Sequence, residues 1–137
     1  MSLEPKQCVE KFYTTDFFQD VDTLSQYLHP EATLFWNSSG GFNKLNFEEI
    51  KKLSVELSRS FNSLRAEVSH LLKEDDTVTI RFTYYVETKE NPDEELPMAH
   101  FICIWEFKEG KMHKGYQISQ QADDSPENLS SFLRSNI

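Results

Sequence analysis

Residues 98–121 read MAHFICIWEFKEGKMHKGYQISQQ, and their alternation decides the fold. Phe101, Cys103 and Trp105 share one parity and Ile102 and Ile104 the other, the two-residue period of a strand. Glu109-Gly110 interrupts the pattern, and Met112 to Gln121 resumes it, so the stretch predicts two strands joined by a tight turn. Working back, Val78, Ile80, Phe82, Tyr84 and Val86 alternate with Thr79, Arg81, Thr83 and Tyr85. Before them Leu64, Ala66, Val68 and His70 alternate with polar neighbours as far as the turn Glu74-Asp75-Asp76. Residues 87–97 (ETKENPDEELP) form an acidic, Pro-bounded connection between the second and third of these strands.

The first half has a different period. Cys8, Val9, Phe12, Tyr13, Asp16 and Phe17 recur at helical spacing within residues 5–18. A short second helix with Leu24, Tyr27 and Leu28 facing inward, capped by Asp20 or Asp22, is stopped by Pro30. Ala32 to Trp36 suits a buried strand, and Ser38-Ser39-Gly40-Gly41 a turn. Asn46 caps a third helix with Glu49 at its third position, and Ile50, Leu53, Leu57 and Phe61 recur on one face. From Ser125-Pro126 a short closing helix carries Leu129, Phe132 and Leu133. Helices followed by long antiparallel strands give an α+β class: one curved sheet packed against the N-terminal helices. One domain spans residues 5–122, and residues 123–137 form a C-terminal tail with that short helix.

At 137 residues the chain has the length of one domain, and its 11 Phe, 5 Tyr and 2 Trp supply the apolar area for a core. Its formal charge of −9 leaves no basic face to displace counterions from a phosphate backbone, which excludes nucleic acid as the partner. No apolar run approaches a bilayer span, and Met1-Ser2-Leu3-Glu4-Pro5 lacks the basic and apolar regions of a signal peptide. Cys8 and Cys103 are too few and too far apart for a disulfide framework. These features predict a soluble, cytoplasmic protein with free thiols and no membrane association. The sequence has neither GxGxxG nor GxxxxGK[ST], so no nucleotide cofactor is expected.

Gln19-Asp20-Val21-Asp22, then Leu28-His29-Pro30-Glu31-Ala32-Thr33-Leu34 leading into a strand, resemble the opening of nuclear transport factor 2-like domains. Trp105 to Met112 resembles their hairpin of aromatic, x, aromatic, turn and Gly-Lys-aliphatic. The resemblance, of the SnoaL-like and ketosteroid isomerase-like kind, covers residues 5–122. It implies a cone: a mixed or antiparallel curved sheet wrapped around helices, as in cystatin-like folds, with a cavity at its open end and often a dimer. An activity of such a fold would be cofactor-independent: an isomerase, cyclase or hydrolase reaction. Placed on Ala32-Thr33 and on the Gly110-Lys111 turn, the isomerase triplet of Tyr, Asp base and oxyanion Asp falls on Phe12, Trp36 and Cys103. None of the three keeps the chemistry, although a one-residue slip brings Tyr13 or Asn37 to two of the places.

The same placement points Phe12, Trp36, Phe82, Tyr84, Cys103, Trp105, Gln117, Ser119 and Gln121 inward, a mostly aromatic pocket with neutral hydrogen-bonding groups on one strand. Such a lining suits a small hydrophobic ligand; the competing reading is that these side chains simply fill the core. Asp16, four residues after Phe12, is the one carboxylate placed to act as general acid or base if it is desolvated, and Tyr84 is a candidate hydroxyl donor. The competing reading keeps Asp16 solvated at a helix end. His29, His70, His100 and His113 show no HxH or HExxH spacing, so no metal site is expected, and parity puts His100 on the outside, at the surface or an interface. The acidic loop lacks calcium-loop spacing and reads as a solvated connection. Outward-facing Tyr85, Ile102, Ile104, Tyr116 and Ile118 make a face too apolar for water, which predicts a homodimer through the outer sheet surface. Two functions remain open: a ligand-binding, acid/base-catalytic cone protein, or a non-catalytic dimeric protein-binding or scaffold module.

Overall fold

A computed structural model describes residues 4–14, 23–123 and 125–132. Helix α1 (Pro5–Thr14) and the one-turn α2 (Leu24–Tyr27) lead into β1 (Leu28–Ser38) and β2 (Gly41–Asn46). Helix α3 (Phe47–Ser60) precedes β3 (Phe61–Glu74), β4 (Thr77–Thr88), β5 (Glu95–Lys108) and β6 (Lys111–Gln121), and α4 (Pro126–Ser131) closes the order. The strands form one curved, unclosed six-stranded sheet in the order β2-β1-β6-β5-β4-β3. Only the β1–β6 pair is parallel, so the sheet is mixed.

The β5–β6 hairpin turns through Glu109 and Gly110, both at positive φ (55° and 79°), the backbone that matches the twist of paired strands. This hairpin registers Phe101, Cys103 and Trp105 against Ser119, Gln117 and Gly115. On the far side of β5, Phe82, Ile80 and Val78 pair with the same three residues. Three rows of side chains therefore cross the inner face: Val78-Trp105-Gly115-Leu34, Ile80-Cys103-Gln117-Trp36, and Phe82-Phe101-Ser119. Helix α1 packs on this face against β3, β4 and β6, and α3 packs against β1, β2 and β3. The Asn46 capping box is present: Asn46 Oδ1 accepts from the Glu49 amide (2.9 Å), and Glu49 Oε1 accepts from the Asn46 amide (3.0 Å).

Five expectations change. The acidic connection expected over residues 87–97 shortens to 89–94, because Glu87 pairs with Glu95 and Tyr85 with Pro97 as β4 and β5 extend. Strand β1 begins at Leu28 and runs through Pro30 rather than starting at Ala32. Its pairing with β6 jumps from Leu28↔Met112 to Thr33↔Lys114, so the proline sits in an irregularity where no ladder donor is required. Residues 41–46 form an edge strand that the sequence pattern does not show, because nearly all of them are exposed. Phe61 opens β3 instead of closing α3. His100, expected at the surface, is 4% exposed, because α4 folds back over the outer face of the sheet. There His100 bonds Thr83 Oγ1 (2.7 Å) through Nδ1 and Asn128 Oδ1 (2.8 Å) through Nε2, while its ring stacks on Phe132. The Arg81 guanidinium lies 3.8 Å from the Phe132 ring centroid and donates to the Ser131 carbonyl (2.8 Å).

Candidate functional site

The inner face is first of all an aromatic cluster. Phe82 stacks on Phe101 at 5.1 Å and meets Tyr84 edge-on at 4.8 Å, while Tyr13 from α1 covers Phe82 at 4.7 Å. Phe12 contacts Trp105 at 6.5 Å, and Trp36 contacts Phe101 at 6.4 Å. The space left between this cluster and α3 is a chamber of about 100 Å³. It is well below the ~300–1,000 Å³ usual for a drug-sized ligand, though of the order of the ~150 Å³ cavity that admits one benzene.

Of the residues expected around a pocket, the chamber brings together Phe12, Trp36, Tyr84, Trp105 and Gln117. Phe82 and Cys103 lie behind this wall as fully buried core, because the sheet curves tightly enough for Tyr13 and Gln117 to cover them. Ser119 does not line the chamber; its hydroxyl is taken by the Trp36 indole N–H (2.8 Å). Gln121 is exposed at the end of β6, paired with Ala99. Asp16 lies outside the described residues. Sequence reasoning turns Phe101 inward without assigning it to the pocket, and leaves out Tyr13, Met98 and the α3 face of Ile50, Leu53, Ser54 and Leu57. The apolar stripe of α3 could have flagged that face, since an amphipathic helix packed on a concave sheet must form its roof.

The polar groups are linked. The Trp105 indole N–H donates to Tyr13 Oη (2.9 Å), Tyr13 donates onward to Gln117 Oε1 (3.4 Å), and the Cys103 thiol donates to the same oxygen (3.1 Å). Two donors converging on Oε1 leave the Gln117 amide nitrogen free of that pair. The Tyr84 hydroxyl makes no hydrogen bond among the described residues. Burial pushes the Tyr13 and Tyr84 hydroxyls well above the usual phenol range, with the Cys103 thiol beside them adding to it. Burial pushes the Cys103 thiol itself up to about 12, and the Cys8 thiol up to about 11. At neutral pH each of these groups is protonated, so the tyrosines act as donors and the thiols are poor nucleophiles. Every polar side chain in the described lining is uncharged: the Tyr13, Ser54 and Tyr84 hydroxyls, the Gln117 amide and the indole N–H groups of Trp36 and Trp105.

A larger groove, about 520 Å³, lies on the outer face between the β1–β2 turn at Asn37–Ser39 and Phe132. It is wide open to solvent and brings fewer aromatic and buried polar groups together than the chamber, which is therefore the better candidate despite its size. Among the described residues no group of three or more His, Cys, Asp and Glu side chains is arranged to hold a metal ion. Among them, too, no helix is long and apolar enough to cross a membrane.

The sequence profile of the SnoaL-like domain matches residues 9–114. No curated protein matches the sequence. Among solved structures the chain is similar to IdmH, a candidate polyketide cyclase from Streptomyces antibioticus, with a TM-score of 0.69 at 16% identity over 85% of this chain and 92% of that one. It is similar also to a candidate polyketide cyclase from Acidithiobacillus ferrooxidans, with a TM-score of 0.67 at 14% identity over 100% of both chains. A third, a candidate SnoaL-like polyketide cyclase from Shewanella denitrificans, gives 0.66 at 12% identity over 96% of this chain and 97% of that one. At these identities the likeness is one of fold.

Proposed function

The chain belongs to the SnoaL-like domain family, and from that premise we propose that it binds a small molecule by enclosing an uncharged, hydrophobic part of it in the aromatic chamber. The observation that carries this reading is the convergence of the Tyr84 hydroxyl and the Gln117 amide, with Tyr13 and Ser54 beside them, on a cavity otherwise lined by aromatic and aliphatic side chains. Among the described residues no buried side-chain nitrogen or oxygen lacks a hydrogen-bond partner, so these groups stay within reach of water. A ligand oxygen that bonds one therefore gains the net worth of a hydrogen bond, about 0.5–1.5 kcal/mol, over a pure hydrocarbon. Tyr84 is the hydroxyl donor of this proposal. Catalysis, where it occurs, is acid/base chemistry without a cofactor, with Asp16 as the proton carrier. The triplet of the ketosteroid isomerases is replaced, and the described lining itself offers only neutral groups, so turnover depends on Asp16.

The test is a thermal-shift screen of small neutral ring compounds against wild type, Tyr84→Phe and Asp16→Asn. A true ligand raises Tm by mass action. Tyr84→Phe is expected to weaken oxygen-bearing ligands about 3- to 10-fold and to leave hydrocarbon rings unchanged. Asp16→Asn is expected to bind as wild type and to lose any turnover. A screen in which no ring compound shifts Tm refutes the chamber as a binding site.

A second reading rests on a different observation. Ile102, Ile104, Tyr116 and Ile118 are exposed side by side on the outer face of β5 and β6, with Ile118 at 59%. Such an apolar surface fits a homodimer through the outer sheet, and with it a non-catalytic protein-binding or scaffold module.

A further inference from the structure

The chamber and a groove outside it share two residues. The groove, about 340 Å³, runs between α3 and β2 and is lined on its outer side by Asn43, Glu49, Lys52 and Glu56. Trp36 and Leu53 close its inner side, and the same two side chains wall the chamber. Trp36 is half-buried at this boundary, and its side chain's one polar atom, Nε1, donates to Ser119 Oγ one row away on β6.

We propose that Trp36 is a gate latched by Ser119, and that the groove is the outer half of the binding site. With the indole swung aside, the 100 Å³ chamber and the 340 Å³ groove join into one cleft of the size that takes drug-sized ligands. At about 100 Å³ the chamber alone is too tight for a six-membered ring with a substituent, so such a ring is accommodated only when the indole moves aside and the groove's space is added. The two halves differ in chemistry. The inner half is aromatic and uncharged; the outer half carries two carboxylates against one ammonium on a chain of net charge −9. The ligand class is therefore an elongated molecule with a flat apolar ring at one end and a cationic or neutral polar group at the other. An anionic end is repelled. This inference rests on the chamber reading for its ligand, but the gate itself is testable without one.

The chain has two tryptophans, and Trp105 is 1% exposed, so acrylamide quenching of indole fluorescence reports on Trp36. Ser119→Ala removes the latch. The open fraction should rise about 2- to 13-fold, the factor set by one net hydrogen bond, and quenching should rise with it. Trp36→Phe breaks the latch from the other side and keeps a ring in the gate. Association of 4-phenylbutylamine should quicken by the same factor in both variants, since apparent affinity and capture scale with the open fraction. In wild type the amine should bind more tightly than 4-phenylbutanoate, which has the same reach and the opposite charge. Unchanged quenching in a folded Ser119→Ala overturns the gate even if the amine binds. Should Ser119→Ala not fold, an unchanged amine association rate in Trp36→Phe overturns it. Tighter binding of the carboxylate overturns the assignment of the groove. If quenching rises but neither probe binds any variant, the gate stands and the chamber reading fails.

Discussion

Replacing Gly115 with alanine tests how closely the inner rows are packed. Gly115 lies on β6 between Trp105 of β5 and Leu34 of β1. A Cβ built there would come within 2.7 Å of Trp105 Cη2 and Cζ2 and within 2.8 Å of Leu34 Cδ1. Carbon atoms prefer ~3.5–4.0 Å, so each contact is roughly 1 Å too short. The indole cannot retreat freely, because it is fully buried and its N–H is bonded to Tyr13 Oη. Overpacking of this kind costs about 1–3 kcal/mol. Moving the indole aside stretches the Trp105–Tyr13 bond and adds about 0.5–1.5 kcal/mol. The lost flexibility of the unfolded chain returns roughly 0.4–1 kcal/mol. The net is about 2 kcal/mol, small enough against a typical ~5–15 kcal/mol for the domain to stay folded. Urea denaturation should show the midpoint falling by about 1 M at unchanged slope. Trp105→Phe removes the ring atoms that the new methyl meets, so the double variant should be more stable than the sum of the single changes by at least ~1 kcal/mol. A loss below ~1 kcal/mol for Gly115→Ala, or additivity within ~0.5 kcal/mol, refutes this packing.

Cys8, Cys103, Tyr13 and Tyr84 all have protonated, neutral forms favoured by burial. Because the folded pKa values lie above the unfolded ones, the fold binds these protons more tightly. Their stabilisation is complete below pH 9 and is lost as pH rises from 9 towards 12. Tm should therefore fall steadily across pH 9–11.5, and a disulfide reagent at pH 8 should titrate two thiols only after unfolding; a flat Tm profile counts against the burial. Arg81→Ala frees the α4 end, where the cation lies on Phe132 and bonds the Ser131 carbonyl. Limited proteolysis within residues 125–132 should quicken about 10-fold while Tm stays nearly constant, as a partly exposed contact worth about 1–2 kcal/mol predicts. On the outer face, Ile104→Glu should convert a dimer seen by sedimentation into monomer; wild type that is already monomeric at micromolar concentration removes the dimer reading.

Much of the architecture was readable because it rests on period and punctuation. The parity of Phe82, Cys103 and Trp105 follows from the two-residue repeat, and the start of α3 from Asn46 with Glu49. The sequence pattern does not show β2, because Leu45 is its one residue packed against the core and a single inward side chain makes no hydrophobic alternation; the strand is defined by its backbone pairing with β1, from Thr33↔Asn46 onward. His100 was placed on the outer face by parity, correctly as to side. Its burial under α4 depends on a contact between segments far apart in sequence, which no local pattern records.

The candidate site divides in the same way. Pattern alone puts Trp36, Tyr84, Trp105 and Gln117 on one surface of the sheet, since a strand's side chains have only two directions to choose from. How much room remains among them is a small difference between large packed volumes, fixed by the curvature of the sheet and by the roof that α3 lays over it. That difference leaves Cys103 behind Gln117, ties Ser119 to Trp36, exposes Gln121, and sets the Tyr13 hydroxyl at the centre of the buried network. Alternation can assign a face; only the three-dimensional meeting of helix and sheet sets a volume.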